Sequence, residues 1–401
     1  MINIGIIGVG NTGNQIVALA KESMPDIQVC AINSSEKDLE TIPSSIPRIL
    51  LQSSEDDDYV STSGDEEIDL GASRTEKRGA GKDRTLAKKF LKHTAAKIIE
   101  DKEVRNILNA VDVVFIISST GGGTGSGTCP MLANIIGSVC PDVKVILVGV
   151  LPVNNEALGA HVNTLEYLNE LYKTLDGQTY MLYDNDKYAG LPSYKIIETV
   201  NKEIVEDIRV ITGFYNKVTK FDSIDDRDMM RLIGFSGRLT VARVMGFSEK
   251  DCETTTIEDM IIDNIKRNAH VESQRDKKVM ASGIISNLSQ SLTEEFDNNI
   301  PLVREFVGDP VHAFSHIYVN EDRKEDNNVF LILNGLSPIN DKINKISDRI
   351  EEIEEKQKLL EEESALDDIA LDALSDKIAD HKKESNATEV DLNNIFSKFG
   401  I

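Results

Sequence analysis

Seven consecutive residues carry the plainest chemistry in this chain: Gly121, Gly122, Gly123, Thr124, Gly125, Ser126 and Gly127. Five glycines strip side chains from the backbone there, while Thr124 and Ser126 keep hydroxyls. Successive N–H groups of such a loop can converge on an anion, and a helix starting nearby adds its positive end. The guest this predicts is a polyphosphate. The loop is not a Walker A loop, because no Gly-Lys-Ser/Thr follows. It comes directly after an apolar run, 111–117, that reads as a buried strand, so it is not a linker in low-complexity sequence. A second glycine turn, Gly8-x-Gly10-x-x-Gly13, separates the apolar run 2–7 from a helical pattern through Ile16, Leu19 and Ala20. Alone it equally suits a dinucleotide-binding Rossmann unit. That reading wants an acidic residue closing the second strand, and strand 29–33 closes here on Asn33-Ser34-Ser35.

The elements around these loops alternate. The run 143–150 is a buried strand, and a helix is expected over 84–99, after a turn at Gly79, Ala80 and Gly81. Strands alternating with helices imply right-handed crossovers and a mostly parallel sheet, with ligands beyond the carboxyl ends of its strands. Ile196, Ile197, Val200, Ile204, Val205 and Ile208 step by three and four, predicting one long, well-packed helix over 194–211. Beyond residue 235 the patterns give strands at 280–288, 313–319 and 329–333 and helices at 257–265 and 302–306. The expected fold is α/β: a Rossmann-like parallel-sheet domain over 1–193, a central helix over 194–212, and a second α+β domain over 213–335. A C-terminal helical extension over 336–384 and a flexible tail over 385–401 follow. In the extension, isoleucines at 339, 343, 346, 350 and 353 make a heptad stripe. It fits a helix packed on its own domain, an intermolecular coiled coil, or a filament contact. A second helix is expected to start at the capping box Ser364-Ala365-Leu366-Asp367. The tail ends in Ile395, Phe396, Phe399 and Ile401 and reads as a docking peptide or a frayed end. Residues 53–78, rich in Asp, Glu, Ser and Gly, read as a mobile surface excursion.

Composition narrows the partners. A chain of 401 residues has room for two domains. Its formal charge of −24 argues against direct contact with nucleic acid. No run of 18 apolar residues predicts a membrane span, and the start Met1-Ile2-Asn3-Ile4-Gly5 lacks signal-peptide features. Four scattered cysteines, Cys30, Cys129, Cys140 and Cys252, fit reduced thiols in a cytoplasm. His312 and His316 fall in a strand-like stretch, which disfavours a metal pair, and no protein metal ligands are expected.

The sequence GGGTGSG resembles the phosphate-loop signature of the tubulin/FtsZ superfamily of GTPases. The resemblance covers residues 1–335, by motif over the first 240 and by pattern beyond. It implies GTP/GDP and Mg²⁺ as cofactors and the following roles. Gly8, Gly10, Asn11, Thr12, Gly13 and Asn14 form the first nucleotide loop. Asn33 and Ser34 lie in the second, near the metal and phosphates. Gly79, Ala80 and Gly81 resemble the loop that senses the terminal phosphate. Pro152 and Glu156 resemble the ribose-side loop, with His161 near where an Arg is usual. Asn185 and Asn201 are placed like residues that read the purine edge. Asp222 and Asp225 resemble the catalytic carboxylates, which in the superfamily act on the nucleotide of the next subunit. Lys220 stands where Asn is frequent, and Ser126 where Thr is usual. Asp225 or Asp226 can equally be a helix cap.

The resemblance thus implies a cytoplasmic GTPase that assembles with itself, head to tail, into dynamic filaments. The C-terminal helix and tail look most like the plasmid and phage tubulin homologues (the TubZ/PhuZ group), implying a role in segregating or positioning plasmid or phage DNA. Contact with that cargo would run through a DNA-binding adaptor or a capsid engaged by the tail. A cell-division ring GTPase and a nucleotide-binding regulator that never polymerises are the alternatives.

Overall fold

A computed structural model describes residues 2–52, 80–173, 177–268, 279–321 and 326–360. The excursion at 53–78, Gly79, the capping box at 364–367 and the tail lie outside the described residues. Ten strands make one sheet in the order β3-β2-β1-β4-β5-β6-β7-β10-β8-β9. They are β1 (Ile4–Val9), β2 (Gln28–Asn33), β3 (Arg48–Leu50), β4 (Val113–Ser119), β5 (Lys144–Leu151) and β6 (Thr179–Asp184). The others are β7 (Gly237–Phe247), β8 (Ala281–Ser289), β9 (His312–Asn320) and β10 (Asn327–Leu336). The first six run parallel, and β10 lies antiparallel between β7 and β8. The two halves meet at β6 and β7, where only Thr179–Gly237 and Tyr180–Arg238 pair.

Buried strands of this kind alternate their side chains between two covered faces. Val113, Phe115 and Ile117 of β4 join one apolar cluster, and Val114 and Ile116 join the other. The first cluster is covered by α1 (Gly10–Ser23) and by α7 (Ser193–Ile211). Ile196, Val200, Ile204 and Ile208 sit in it beside Ile285 and Phe330 of the antiparallel half, so α7 is packed against both halves. The second face is covered by α3 (Arg84–Glu100), α4 (Lys102–Ala110), α5 (Thr124–Val139) and α6 (Leu158–Lys173). The short α2 (Glu36–Glu40) follows β2, and α8 (Asp226–Gly234) follows the loop after α7. The helices Ile257–Asn268 and Pro301–Val307 cover a third cluster on the antiparallel half.

Two expected strands start later than their apolar runs. Asn3 and Asp112 hold each other through Asn3 N to Asp112 Oδ2 (2.9 Å) and Asp112 N to Asn3 O (2.9 Å), so pairing begins beyond them. At the other end, Ser118 and Ser119 extend β4 against Gly149 and Val150. The described chain divides into two units, the first ending at Ser347 and the second beginning at Asp348. Within the first, Ile339 and Ile346 of the heptad stripe are buried. Within the second, residues 348–360 are helical and carry an Arg349–Glu352 ion pair at 2.8 Å.

Candidate functional site

The sheet order turns back on itself between β1 and β4, with β2 on one side and β5 on the other. A parallel sheet leaves a crevice there, outside the strand ends. Both glycine turns fall in it. Together with the β2–α2 turn and residues 80–82 they line a cleft of about 240 Å³. Its walls are the backbone of Gly10, Gly122, Gly123 and Gly125, the side chains of Asn11, Thr12, Asn33, Ser35, Ser119 and Thr124, and two charges, Asp38 and Lys82.

The glycines are there because the backbones touch. A Cβ on Gly13 would lie 2.2 Å from the Ile117 carbonyl oxygen, and one on Gly123 would lie 2.8 Å from the Lys82 backbone. Gly122 differs: a Cβ there meets nothing within 4 Å, so this residue faces the open cleft. Helices α1 and α5 both begin at the cleft, and neither has a side-chain cap or an acid in its first turn. The unsatisfied first-turn N–H groups of two helices are thereby left to an anion, with both dipoles adding.

A buried polar frame holds the phosphate loop. Asn163 Nδ2 donates to the carbonyls of Lys82 (2.9 Å), Gly121 (3.2 Å) and Gly122 (3.2 Å). Ser34 Oγ lies 2.6 Å from Thr124 Oγ1 and accepts from Ala80 N at 3.1 Å, tying three loops together. Inside α5, Pro130 has no N–H for the carbonyl of Ser126, four residues back. The buried Arg84 guanidinium supplies that missing donor at 2.9 Å while pairing with Glu166 and Glu170, each at 2.8 Å. Ser126 turns its own hydroxyl to the Gly122 carbonyl.

The other expected residues divide into two groups. Asn14 is fully buried on α1 with neither side-chain polar atom partnered, and Asn185 Oδ1 is buried without a partner as well. An unsatisfied buried amide costs about 1–3 kcal/mol, which a bound base could offset. Asn185 opens the turn after β6, and Asp186 in that turn accepts from Asn154 N at 3.0 Å, joining it to the 152–156 loop. Pro152 is buried there and Glu156 half-buried. Asn201 is 7% exposed on α7, which packs against α1. None of these residues lines the phosphate cleft.

Asp222 and Asp225 are exposed and absent from the cleft wall. Asp225 caps α8, its Oδ1 accepting from Asp228 N at 2.8 Å. Their loop is fixed on β9: Ile317 N donates to Asp222 O (2.9 Å), and Ile224 N donates to His316 Nδ1 (3.3 Å). Burial lowers the His316 pKa below its ordinary value, in keeping with an acceptor Nδ1. Lys220 is exposed and lies 3.9 Å from Glu321. The same loop presents Phe214, Val218 and Phe221 to solvent, Val218 at 98% exposure. Sequence reasoning missed Ser35, Asp38, Lys82, Ser119, Arg84 and Asn163 as parts of the site. Ser35 adjoins the Asn33-Ser34 pair and carried a signal; Arg84 and Asn163 carried none, because their partners lie 41–86 positions away. Among the described residues no group of three or more His, Cys, Asp or Glu could hold a metal. Burial pushes the thiols of Cys30 and Cys129 up to about 12, which leaves them inert.

The family model for the Tubulin/FtsZ family GTPase domain matches residues 3–191. The tubulin-like protein CetZ of Pyrococcus abyssi is 25% identical over 252 residues, which are 62% of this chain and 62% of that protein. In structure, the chain is similar to Clostridium botulinum phage c-st TubZ, with a TM-score of 0.65 at 18% identity over 89% of this chain and 100% of that one. It is also similar to TubZ of Bacillus thuringiensis serovar israelensis in a GTPγS-form protofilament, with a TM-score of 0.66 at 17% identity over 91% and 94%. The match over 3–191, the strand order and the doubled helix starts at one crevice agree: this part of the chain is similar to the GTPase domain of the Tubulin/FtsZ family.

Proposed function

We propose that the protein binds GTP in the β1–β4 crevice, hydrolyses it to GDP and phosphate, and assembles head to tail so that a neighbour's 222–225 loop completes the reaction centre. The observation that carries this reading is the pair of uncapped helix starts facing one cleft, in which Asp38 is the single carboxylate among the described residues. The cleft has the donors to hold a triphosphate, and among the described residues its wall offers no second acid beside Asp38. The exposed loop with Asp222, Asp225, Val218 and Phe221 supplies acids and apolar surface on the antiparallel half. Exposed apolar residues of this kind suit a contact between copies.

In the reaction, water oxygen forms a bond to the γ-phosphorus, the bond to the β–γ bridging oxygen breaks, and the water's proton is released. An Asp222 or Asp225 carboxylate orients that water. The backbone N–H groups of residues 122–125 stabilise the charge gathering on the bridging oxygen. Asp38 and the Thr124 hydroxyl have the oxygen chemistry to hold Mg²⁺, which when bound would neutralise phosphate charge. Asn185 and Asn201 would take the base, Asn14 would serve with the first nucleotide loop, and Pro152 and Glu156 would take the ribose side.

The GTPγS-form protofilament of the Bacillus TubZ supports self-association. A cytoplasmic role in moving plasmid or phage DNA follows from the TubZ-like reading. At a net charge of −24, DNA would be reached through a basic adaptor or a capsid. Light scattering and phosphate release, measured against protein concentration with GTP and Mg²⁺, test the proposal. Turnover per molecule should rise steeply above a critical concentration. Equal turnover in dilute monomer would remove the shared-site mechanism, and no GTP binding at all would remove the whole reading.

A further inference from the structure

We infer that Lys342, in the segment after β10, is a positioning residue for the purine end of the proposed nucleotide site; the inference rests on that site reading. Its ammonium is 4% exposed and lies 3.0 Å from Asp184 Oδ2 and 3.4 Å from Asp186 Oδ2. Those two acids flank Asn185. Asp186 N donates to Asp184 Oδ1 (3.0 Å), and Asn154 N donates to Asp186 Oδ1 (3.0 Å). One buried cation thus joins three segments distant in sequence: the end of β6, the 152–156 loop and the chain after β10. On the other side of the turn, Lys187 pairs with Glu203 of α7 at 3.0 Å. Asn185 is held between these anchors, with its Oδ1 buried and unpartnered.

A buried lysine is costly to desolvate, and such clusters survive only when fully paired. Here the pairing fixes a turn rather than filling a core. Removing the ammonium leaves Asp184 without its cation and frees the turn, so the base edge loses a fixed partner while the phosphate cleft, which Lys342 does not line, is untouched. The segment after β10 thereby reports on, and is felt by, the identity of the bound base.

Binding competition with a fluorescent GDP separates the two ends of the site. Lys342→Met should weaken GTP about tenfold, the worth of one well-placed hydrogen bond, and narrow the preference for GTP over ATP and ITP. Its affinity for inorganic tripolyphosphate should stay at the wild-type value, and Lys342→Arg should restore selectivity. Unchanged GTP affinity and selectivity in folded Lys342→Met overturns the inference, as does an equal loss of tripolyphosphate. If that variant does not fold, Asp186→Asn, at a side chain 25% exposed, should lower selectivity in the same way. Wild-type protein that binds no guanine nucleotide defeats the site reading itself. Wild-type selectivity that survives both substitutions defeats only the role of Lys342.

Discussion

Comparing two substitutions at Asp225 separates the cap that the structure shows from the catalytic role that is proposed for it. Its Oδ1 accepts from Asp228 N at 2.8 Å and caps α8, and in the proposed mechanism its charge acts on a neighbour's nucleotide. Asp225→Ala removes both. The cap is worth about 1 kcal/mol, and asparagine caps as well as aspartate to within a few tenths. In a protein of this size, 1 kcal/mol moves the melting temperature by about 2 °C. Asp225→Asn therefore keeps the helix start and melts with the wild type, while losing the carboxylate. If that carboxylate orients water, turnover should fall on the order of a hundredfold or more. The assay is phosphate release at a concentration where light scattering shows polymer, alongside a thermal melt. Both variants should bind GTP normally, polymerise, and fail to disassemble; only Asp225→Ala should also lose stability. Wild-type hydrolysis by Asp225→Asn, with normal polymer present, would refute the reasoning and leave Asp225 as a cap alone.

Four further outcomes are expected. Gly122→Ala should melt like the wild type, because its Cβ meets nothing within 4 Å, yet bind GTP at least about tenfold more weakly by titration; normal binding would take residue 122 out of the phosphate site. Gly13→Ala should instead cost about 1–3 kcal/mol in a denaturant melt, because its Cβ falls 2.2 Å from Ile117 O. Burial lowers the His316 pKa, so the folded state favours the neutral ring. Its contribution is present above the ordinary value of 6.5 and is lost as pH falls through that value toward the folded one. The melting advantage of wild type over His316→Leu should shrink between pH 7 and pH 5, and a constant advantage would contradict the assignment. Finally, Pro130→Ala returns an N–H to the Ser126 carbonyl, so Arg84→Met should cost about 1 kcal/mol less in that background; strict additivity in the double-mutant cycle would show that Arg84 does not replace the missing donor.

The sheet and the phosphate loop were legible because their signals are local. Apolar runs between glycine turns placed β1, β2, β4 and β5, and the three-and-four spacing of isoleucines placed α7. Strand ends were less so: the apolar run at 111–117 does not register that Asp112 is taken up by Asn3. The frame around the loop was not legible. Nothing near Asn163 says that its amide will find carbonyls 41 and 81 positions back, and nothing near Lys342 points to Asp184. The reading of Asp222 and Asp225 as a catalytic pair rests on resemblance alone. The fold gives Asp225 the capping role that its local sequence equally allowed.

The join between β6 and β7 has a mechanical consequence. Two paired positions are a narrow ligament: β6 shares six rungs with β5, and β7 shares eight with β10. What the sheet edge lacks in rungs there, side-chain packing supplies: α7 lies in one buried cluster with Met181 of β6, Leu239 of β7, and Ile285 and Phe330, so the seam between the halves is held by apolar contact more than by backbone pairing.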